Sequence, residues 1–304
     1  MVCGQKIDNT AAFRNIAGDR YFRFNYDNDY FASSDRDYTQ GYSFEFAMPI
    51  LKRNPLNKLL IYNQKYEHQY GVAIEHIGFT PDNIKSPLIQ VGDRPFASAI
   101  MLKSFAIATD TVNHARWTSS FSVGLIGQGA FGKEMQVGIH KATGNVIPEG
   151  WQNQIRNDVV INYQIGYDKQ IMRIKNNVFL LANGQASVGT LFTNASAGLT
   201  AMLGIIKPNW TPRKQWKNFQ LYIYSQPKLN LVGYDATLQG GLFNDSSPYT
   251  INSSEVERLT AQHNYGVVIR SRTLFIEYSR TDITREFATG RSAGWGGIRF
   301  GFTF

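Results

Sequence analysis

The chain of 304 residues has a single cysteine, Cys3, which excludes an intrachain disulfide. Long apolar runs are missing as well. The longest stretches without charge or strong polarity, such as "SFAIA" and "NVFLLA", fall far short of the ~20 residues a membrane helix needs. No Pro/Ser-rich or charge-run linker divides the chain, and no repeat of fixed period is present, so it reads as one unit. There is no cysteine beyond the terminus, and the G-x-S-x-G match at 290–294 runs into the alternation of the closing strand instead of a helix, so it is no nucleophile elbow; the usual signatures of covalent Ser or Cys catalysis are removed. The formal net charge is +8, with a pI near 9.4. Its basic residues are spread through the chain instead of striped with aromatics, which argues against nucleic acid. An anionic lipid surface, or plain solubility, remains as the use of that charge.

What the chain does have is aromatics, 16 Tyr and 20 Phe, together with 27 Gly and a recurrent period-2 alternation. In "YSFEFAM" Tyr42, Phe44 and Phe46 take one face and Ser43, Glu45 and Ala47 the other. "SSFSVGLIG", "VINYQIGY", "FQLYIYS", "YGVVIRS", "TLFIEYS" and the closing "GGIRFGFTF" repeat the scheme. The second face carries Ser, Gln, Asn, Arg, Glu and Gly. A soluble barrel fills its inside with apolar side chains, so a polar inside and apolar outside point to an all-β, transmembrane antiparallel β-barrel with a polar lumen. An antiparallel sheet with one wet face is the alternative. The length leaves room for about twelve strands, and the last strand ends on the aromatic Phe304, like the assembly signal of outer-membrane barrels. Residues 1–18 are expected to be the remnant of a trimmed export signal and a lead-in, with 19–304 the barrel. A lipidated Cys3 is the weaker reading, because the small residues that should precede it are absent.

Three stretches break the alternation. In "YDNDYFASSDRDYTQGYSF" the adjacent Asn28 and Asp29 can share one site only if the strand ends or bulges there, and Asp35, Arg36 and Asp37 mark a loop before a strand beginning near Tyr38. In "EHIGFTPDNIKSPLIQVGDRPFAS" two prolines bracket a long turn. In "GKEMQVGIHKATGNVIPEGW" Gln136 and His140 share a face in a helix or a strand; Met135, Val137 and Ile139 favour the strand, ended by Gly144, Pro148 and Gly150. Trp151 is expected at the interface or in the wall.

Together "NDYF" (28–31), "YTQG" (38–41), "FTPDNI" (79–84), "DRPFAS" (93–98) and Q-x-x-x-H followed by "PEGWQNQ" (136–154) resemble the outer-membrane lipid A deacylase (LpxR) family in order and spacing. The resemblance covers the first half at motif level and the rest as barrel strands. It implies a roughly twelve-stranded monomeric barrel in the bacterial outer membrane, with short helical or irregular segments at a calcium-dependent site. That site would hydrolyse an ester-linked 3'-O acyl or acyloxyacyl group of lipid A in the outer leaflet. Carried over, His140 matches the general base, with Gln136 before it and Asn28 completing the catalytic set; Asp29 matches a calcium ligand. The family's carboxylate after the histidine is Glu149 or, as second choice, Asp158. Thr39 and Arg94 are the substrate-binding candidates, Arg94 either gripping a lipid A phosphate or pairing with Asp93.

The chemistry is coherent on its own terms. A histidine with an ordinary pKa of ~6.5 can take a proton from water, and calcium, bound by oxygen ligands, can polarise an ester carbonyl. The duller readings are that His140 is a satisfied polar residue, like His68, His76, His114 and His263, and that Asn28 and Asp29 cap a turn. Two other functions compete: a passive porin or glycolipid-binding barrel, and an outer-membrane phospholipase with a Ser/His/Asn site.

Overall fold

Alternating side chains oblige a strand to present two unlike faces, and twelve such stretches become twelve strands. The computed structural model describes residues 7–304 apart from 17, 33–36, 208–209, 211–218 and 272, so Cys3, Asp35 and Arg36 lie outside the described residues. The strands are β1 (Tyr21–Asn28), β2 (Asp37–Ala47), β3 (Glu67–Thr80), β4 (Ala97–Asp110), β5 (Ala115–Ile126), β6 (Asp158–Ile174), β7 (Val178–Gly189), β8 (Phe192–Ile205), β9 (Gln220–Asp235), β10 (Leu259–Ser271), β11 (Leu274–Ile283) and β12 (Ala293–Thr303). Each pairs antiparallel with the next, and β12 returns to β1, with Tyr21 opposite Thr303 and Asn28 opposite Gly296. The sheet is closed, as the sequence led us to expect.

The faces sort as the alternation requires. Phe44 and Phe46 are 45% and 40% exposed on the outside, while Ser43 and Glu45 are 0% and 2% exposed inside. At the closing seam Phe22 packs against Phe46 and Phe302, with ring centroids 4.8 and 5.4 Å apart. Three of the five connections at one end, 111–114, 175–177 and 272–273, are tight, whereas the longest of all, 127–157 and 236–258, are at the other end with 81–96. Outer-membrane barrels turn short connections to the periplasm and long ones outward, which makes the long-loop rim the outer one. That rim carries the two α-helices, α1 (Gly132–Thr143) and the single turn α2 (Ala236–Gln239).

The lead-in expected ahead of the barrel runs inside it. Residues 7–16 are almost wholly buried in the lumen, held by a ring of strand side chains. Arg23 of β1 donates to the carbonyls of Asn9 and Arg14 at 2.7 and 2.6 Å while pairing with Glu45 at 2.7 Å. Arg116 of β5 donates to the Thr10 carbonyl, and the Tyr222 hydroxyl to the Phe13 carbonyl at 2.6 Å. Arg14 itself pairs with Glu277 of β11 at 2.8 Å, and Phe13 stacks on Tyr224 at 3.9 Å. The arrangement solves two problems at once. A buried guanidinium needs acceptors, and a segment whose regular structure is the single 3-10 turn Ala12–Arg14 has carbonyls that need donors. Two small cavities flank the segment, one of about 30 Å³ beside Asp8 and Thr10 and one of about 40 Å³ beside Ile7. Each has room for a water or two.

Candidate active site

The site begins where β1 stops. Asn28 is the last residue of β1 and Asp29 the first of a 3-10 turn (Asp29–Ala32), so the strand ends where the two polar neighbours required it to. The Asn28 amide donates to the Thr39 carbonyl. Thr39 lies in an irregularity of β2, between the pairs Asp37–Thr80 and Gln40–Gly78. Its hydroxyl is 2.6 Å from that of Thr80 at the end of β3. Tyr38, buried against Phe79 and Trp295, fills the space beneath. Asn28, Thr39 and Thr80 are thus tied across three neighbouring strands, with Asp29 buried at the end of the first.

A second group of the candidates lies on the helix that follows β5, packed against β4. The stretch that the sequence leaves open between helix and strand is a helix over Gly132–Thr143, against the preference for a strand drawn from Met135, Val137 and Ile139. In a closed barrel β5 already has β4 and β6 as partners, so a strand here would find no edge to pair with. The residues that α1 buries are Gly132, Gln136 and His140, every fourth one, and the three apolar residues are only half-buried. Gly144, at φ +70°, ends the helix, and the Asn145 amide donates to the His140 carbonyl at 2.8 Å. The helix is pinned close to the wall: a Cβ at Gly132 would lie 2.4 Å from Ser98 Cβ and 2.7 Å from Trp151 Cη2.

Trp151 is a second correction. Instead of facing the membrane it is 1% exposed, packed on Phe96 and Ile84. Its indole N–H donates to Gln136 Oε1 at 2.7 Å. An indole nitrogen can only donate, so the amide of Gln136 is fixed oxygen toward Trp151, leaving Nε2 buried without a partner among the described residues. The same logic settles His140. Its Nδ1 is bonded to the Val146 carbonyl, which can only accept, so Nδ1 carries the proton and Nε2 holds the basic lone pair.

Other candidates are placed elsewhere. Arg94 is 1% exposed; its guanidinium pairs with Glu286 at 3.1 Å and lies 4.2 Å over the Phe79 ring. The fork expected to take a phosphate, or Asp93, is therefore occupied by Glu286. Asp93 instead accepts from the amides of Asp82 at 2.8 Å and Arg94 at 2.7 Å, bracing the 81–96 loop; burial lifts its carboxyl above the usual range against the pull of those donors. Glu149 is exposed, its amide donating to the Ile84 carbonyl at 2.9 Å. Asp158 accepts from the amides of Phe243 and Asn244 at 2.7 and 3.1 Å, holding the 236–258 loop. Among the described residues no group of three or more His, Cys, Asp or Glu side chains is placed to hold a metal. The ends of β1–β3 carry oxygen donors: the Asp29 carboxylate and the amide, carbonyl and hydroxyl oxygens of Asn28, Thr39 and Thr80. Such a donor set suits a hard cation such as calcium, which takes carbonyl oxygens readily, and not a softer metal.

Sequence reasoning missed Thr80, Glu286 and the role of Trp151. Thr80 and Trp151 stand inside quoted motifs, but Glu286 is some two hundred residues from Arg94 and no local pattern joins them.

The family described as outer membrane protein LpxR matches residues 5–304. The chain belongs to this family. Membership places it in the outer membrane, among lipid A deacylases. LpxR from Salmonella typhimurium has the same fold, with a TM-score of 0.76 at 20% identity, covering 93% of this chain and all of that one. The β-domain of the Bordetella autotransporter BrkA is a more distant barrel, with a TM-score of 0.50 at 7% identity over 95% of this chain. No curated protein matches the chain.

Proposed function

We propose that this member of the LpxR family is a calcium-dependent esterase that removes the 3'-O acyl or acyloxyacyl group of lipid A, with water activated by His140 as nucleophile. The observation that carries the mechanism is the bond from His140 Nδ1 to the Val146 carbonyl, which leaves Nε2 as the base. Nε2 takes a proton as water adds to the ester carbonyl. The tetrahedral oxyanion collapses, the C–O bond to the sugar breaks, and the proton on Nε2 passes to the departing sugar oxygen. The products are a free fatty acid and a sugar hydroxyl. The unpartnered Nε2 of Gln136, on the same helix face, is a preoriented donor for the oxyanion. Asn28 and Thr39 position the substrate's polar end. Calcium, held by Asp29 with neighbouring oxygens, would supply polarisation of the ester carbonyl. Glu149, being exposed, is free to join when substrate arrives, whereas Asp158 is committed to the 236–258 loop.

The test is the mass spectrum of lipid A after incubation with the purified protein in detergent, with calcium and then with chelator, for the parent and His140→Ala. Loss of one acyl unit that requires both calcium and His140 is the expected result. An unchanged lipid A with a folded parent barrel would leave the passive glycolipid-binding reading; the occupied lumen already weighs against a porin.

A further inference from the structure

We propose that the connection 48–66, between β2 and β3, is an in-plane anchor that binds the anionic phospholipid headgroups of the periplasmic leaflet. This inference does not depend on the deacylase mechanism. The connection lies at the end where three of the turns, 111–114, 175–177 and 272–273, are tight, and it is far longer than any of those three. It folds into two 3-10 turns, Pro49–Arg53 and Pro55–Leu59, each opened by a proline.

The segment lies back along the outside of the barrel. Leu51 and Leu60 pack with Tyr70, Ala106, Phe121 and Tyr163 of β3–β6. Asn54 Nδ2 donates to Ser104 Oγ at 3.2 Å, and the Ile61 amide to Ser119 Oγ at 2.9 Å. Ser104, Ala106 and Ser119 share the outward face with Leu102 and Val123, where a lipid-facing wall carries large apolar residues. These small residues make a shelf that the segment covers.

The free side of the segment is amphipathic in the manner of a membrane-surface element. Ile50, Leu59 and Tyr62 are 58%, 51% and 59% exposed. Among them stand Lys52, Arg53, Lys58 and Lys65, all exposed, with no acidic residue between Glu45 and Glu67. None of the four makes an ion pair among the described residues. They supply half of the chain's formal net charge of +8 within a sixteenth of its length. In sequence the other long connection at this end, 206–219, holds a further four cations and no acid, so the remainder of the chain is neutral overall. A cavity of about 310 Å³ opens between the segment and the wall, lined by Lys52, Tyr62, Tyr66 and His68, with Asp19 at its edge. Cations flanking apolar residues at a bilayer surface favour anionic headgroups. The lipid A phosphates lie in the opposite leaflet and cannot satisfy these charges.

The experiment is native mass spectrometry of the full folded chain in detergent, titrated with phosphatidylglycerol and, separately, phosphatidylcholine. The parent and the combined variant K52Q/R53Q/K58Q/K65Q are compared with K85Q/K133Q, which removes charge from the outer rim. Heat-modified gel migration confirms that each barrel is folded. The parent and the rim variant are expected to bind phosphatidylglycerol at least ~10-fold more tightly than phosphatidylcholine, with the preference weakened by salt, and the anchor variant to lose it. A parent with no preference, or an anchor variant that keeps it, would overturn the proposal. So would binding of soluble peptidoglycan fragments that competes the phospholipid away, since that would assign the segment to the cell wall.

Discussion

Gly132→Ala tests whether the seating of α1 governs turnover. The added Cβ would lie 2.4 Å from Ser98 Cβ, 2.5 Å from Ser98 Oγ and 2.7 Å from Trp151 Cη2. Carbon atoms pack at about 3.5–4.0 Å, so the start of the helix must retreat by roughly 1 Å. Ser98 cannot give way easily, because its carbonyl accepts from the Gly127 amide, its hydroxyl donates to the Gly127 carbonyl, and it sits in a strand of the closed sheet. Trp151 cannot either, being packed on Phe96 and tied to Gln136. The displacement is passed along the helix to Gln136 and His140, which share the buried face. A misplacement of ~1 Å in a catalytic group costs on the order of 100-fold in rate. Gly138→Ala is the matched control, since a Cβ there meets nothing within 4 Å. Both substitutions raise intrinsic helix propensity, by up to about 1 kcal/mol, so only the steric term separates them. The assay is the initial rate of acyl loss from lipid A, with heat-modified migration confirming the folded barrel. Gly132→Ala at parental rate with a folded barrel would refute the argument, as would an equal loss in Gly138→Ala.

Trp151→Phe keeps the packing but releases the Gln136 amide; we expect turnover to fall about 10-fold with KM nearly unchanged, against about 100-fold for Gln136→Ala, which removes the donor itself. A parental rate in both would take Gln136 out of the mechanism. Glu286→Ala strands the buried Arg94 guanidinium, and removing one partner of a buried pair costs about 3–5 kcal/mol; thermal unfolding should show the loss, and the double change Arg94→Met with Glu286→Met should recover much of it. Deleting residues 7–16 should convert a silent barrel into one with steady ion conductance in a planar bilayer, because the segment is packed into the lumen and the cavities beside Asp8, Thr10 and Ile7 measure about 30 and 40 Å³ while it is in place. Equal conductance in parent and deletion would show that the segment does not seal the lumen.

The barrel was legible because its signal is local and repeated. Polar and apolar residues alternate in nearly every strand, and lipid outside with a polar inside leaves one way to arrange them, so strand number, facing and the last strand's place at the seam follow from the order of residues. The break at Asn28–Asp29 was legible for the same reason, since two adjacent polar residues cannot both face inward along a regular strand. At 132–143 the sequence leaves helix and strand open, with Met135, Val137 and Ile139 leaning toward the strand, and only closure of the sheet, which leaves β5 no free edge, decides for the helix. The partners of Arg94 and of the N-terminal segment were invisible for a different reason. Glu286, Glu277 and the luminal arginines are distant in sequence from what they bind, and a buried charge chooses its partner by which group the closed barrel brings within reach. The chain's own order of residues thus determined a lipid-embedded barrel and the motifs of its site; the tertiary structure decided which polar groups bind each other and which remain for substrate, because burial makes every unpaired polar group costly and closure dictates what stands opposite it.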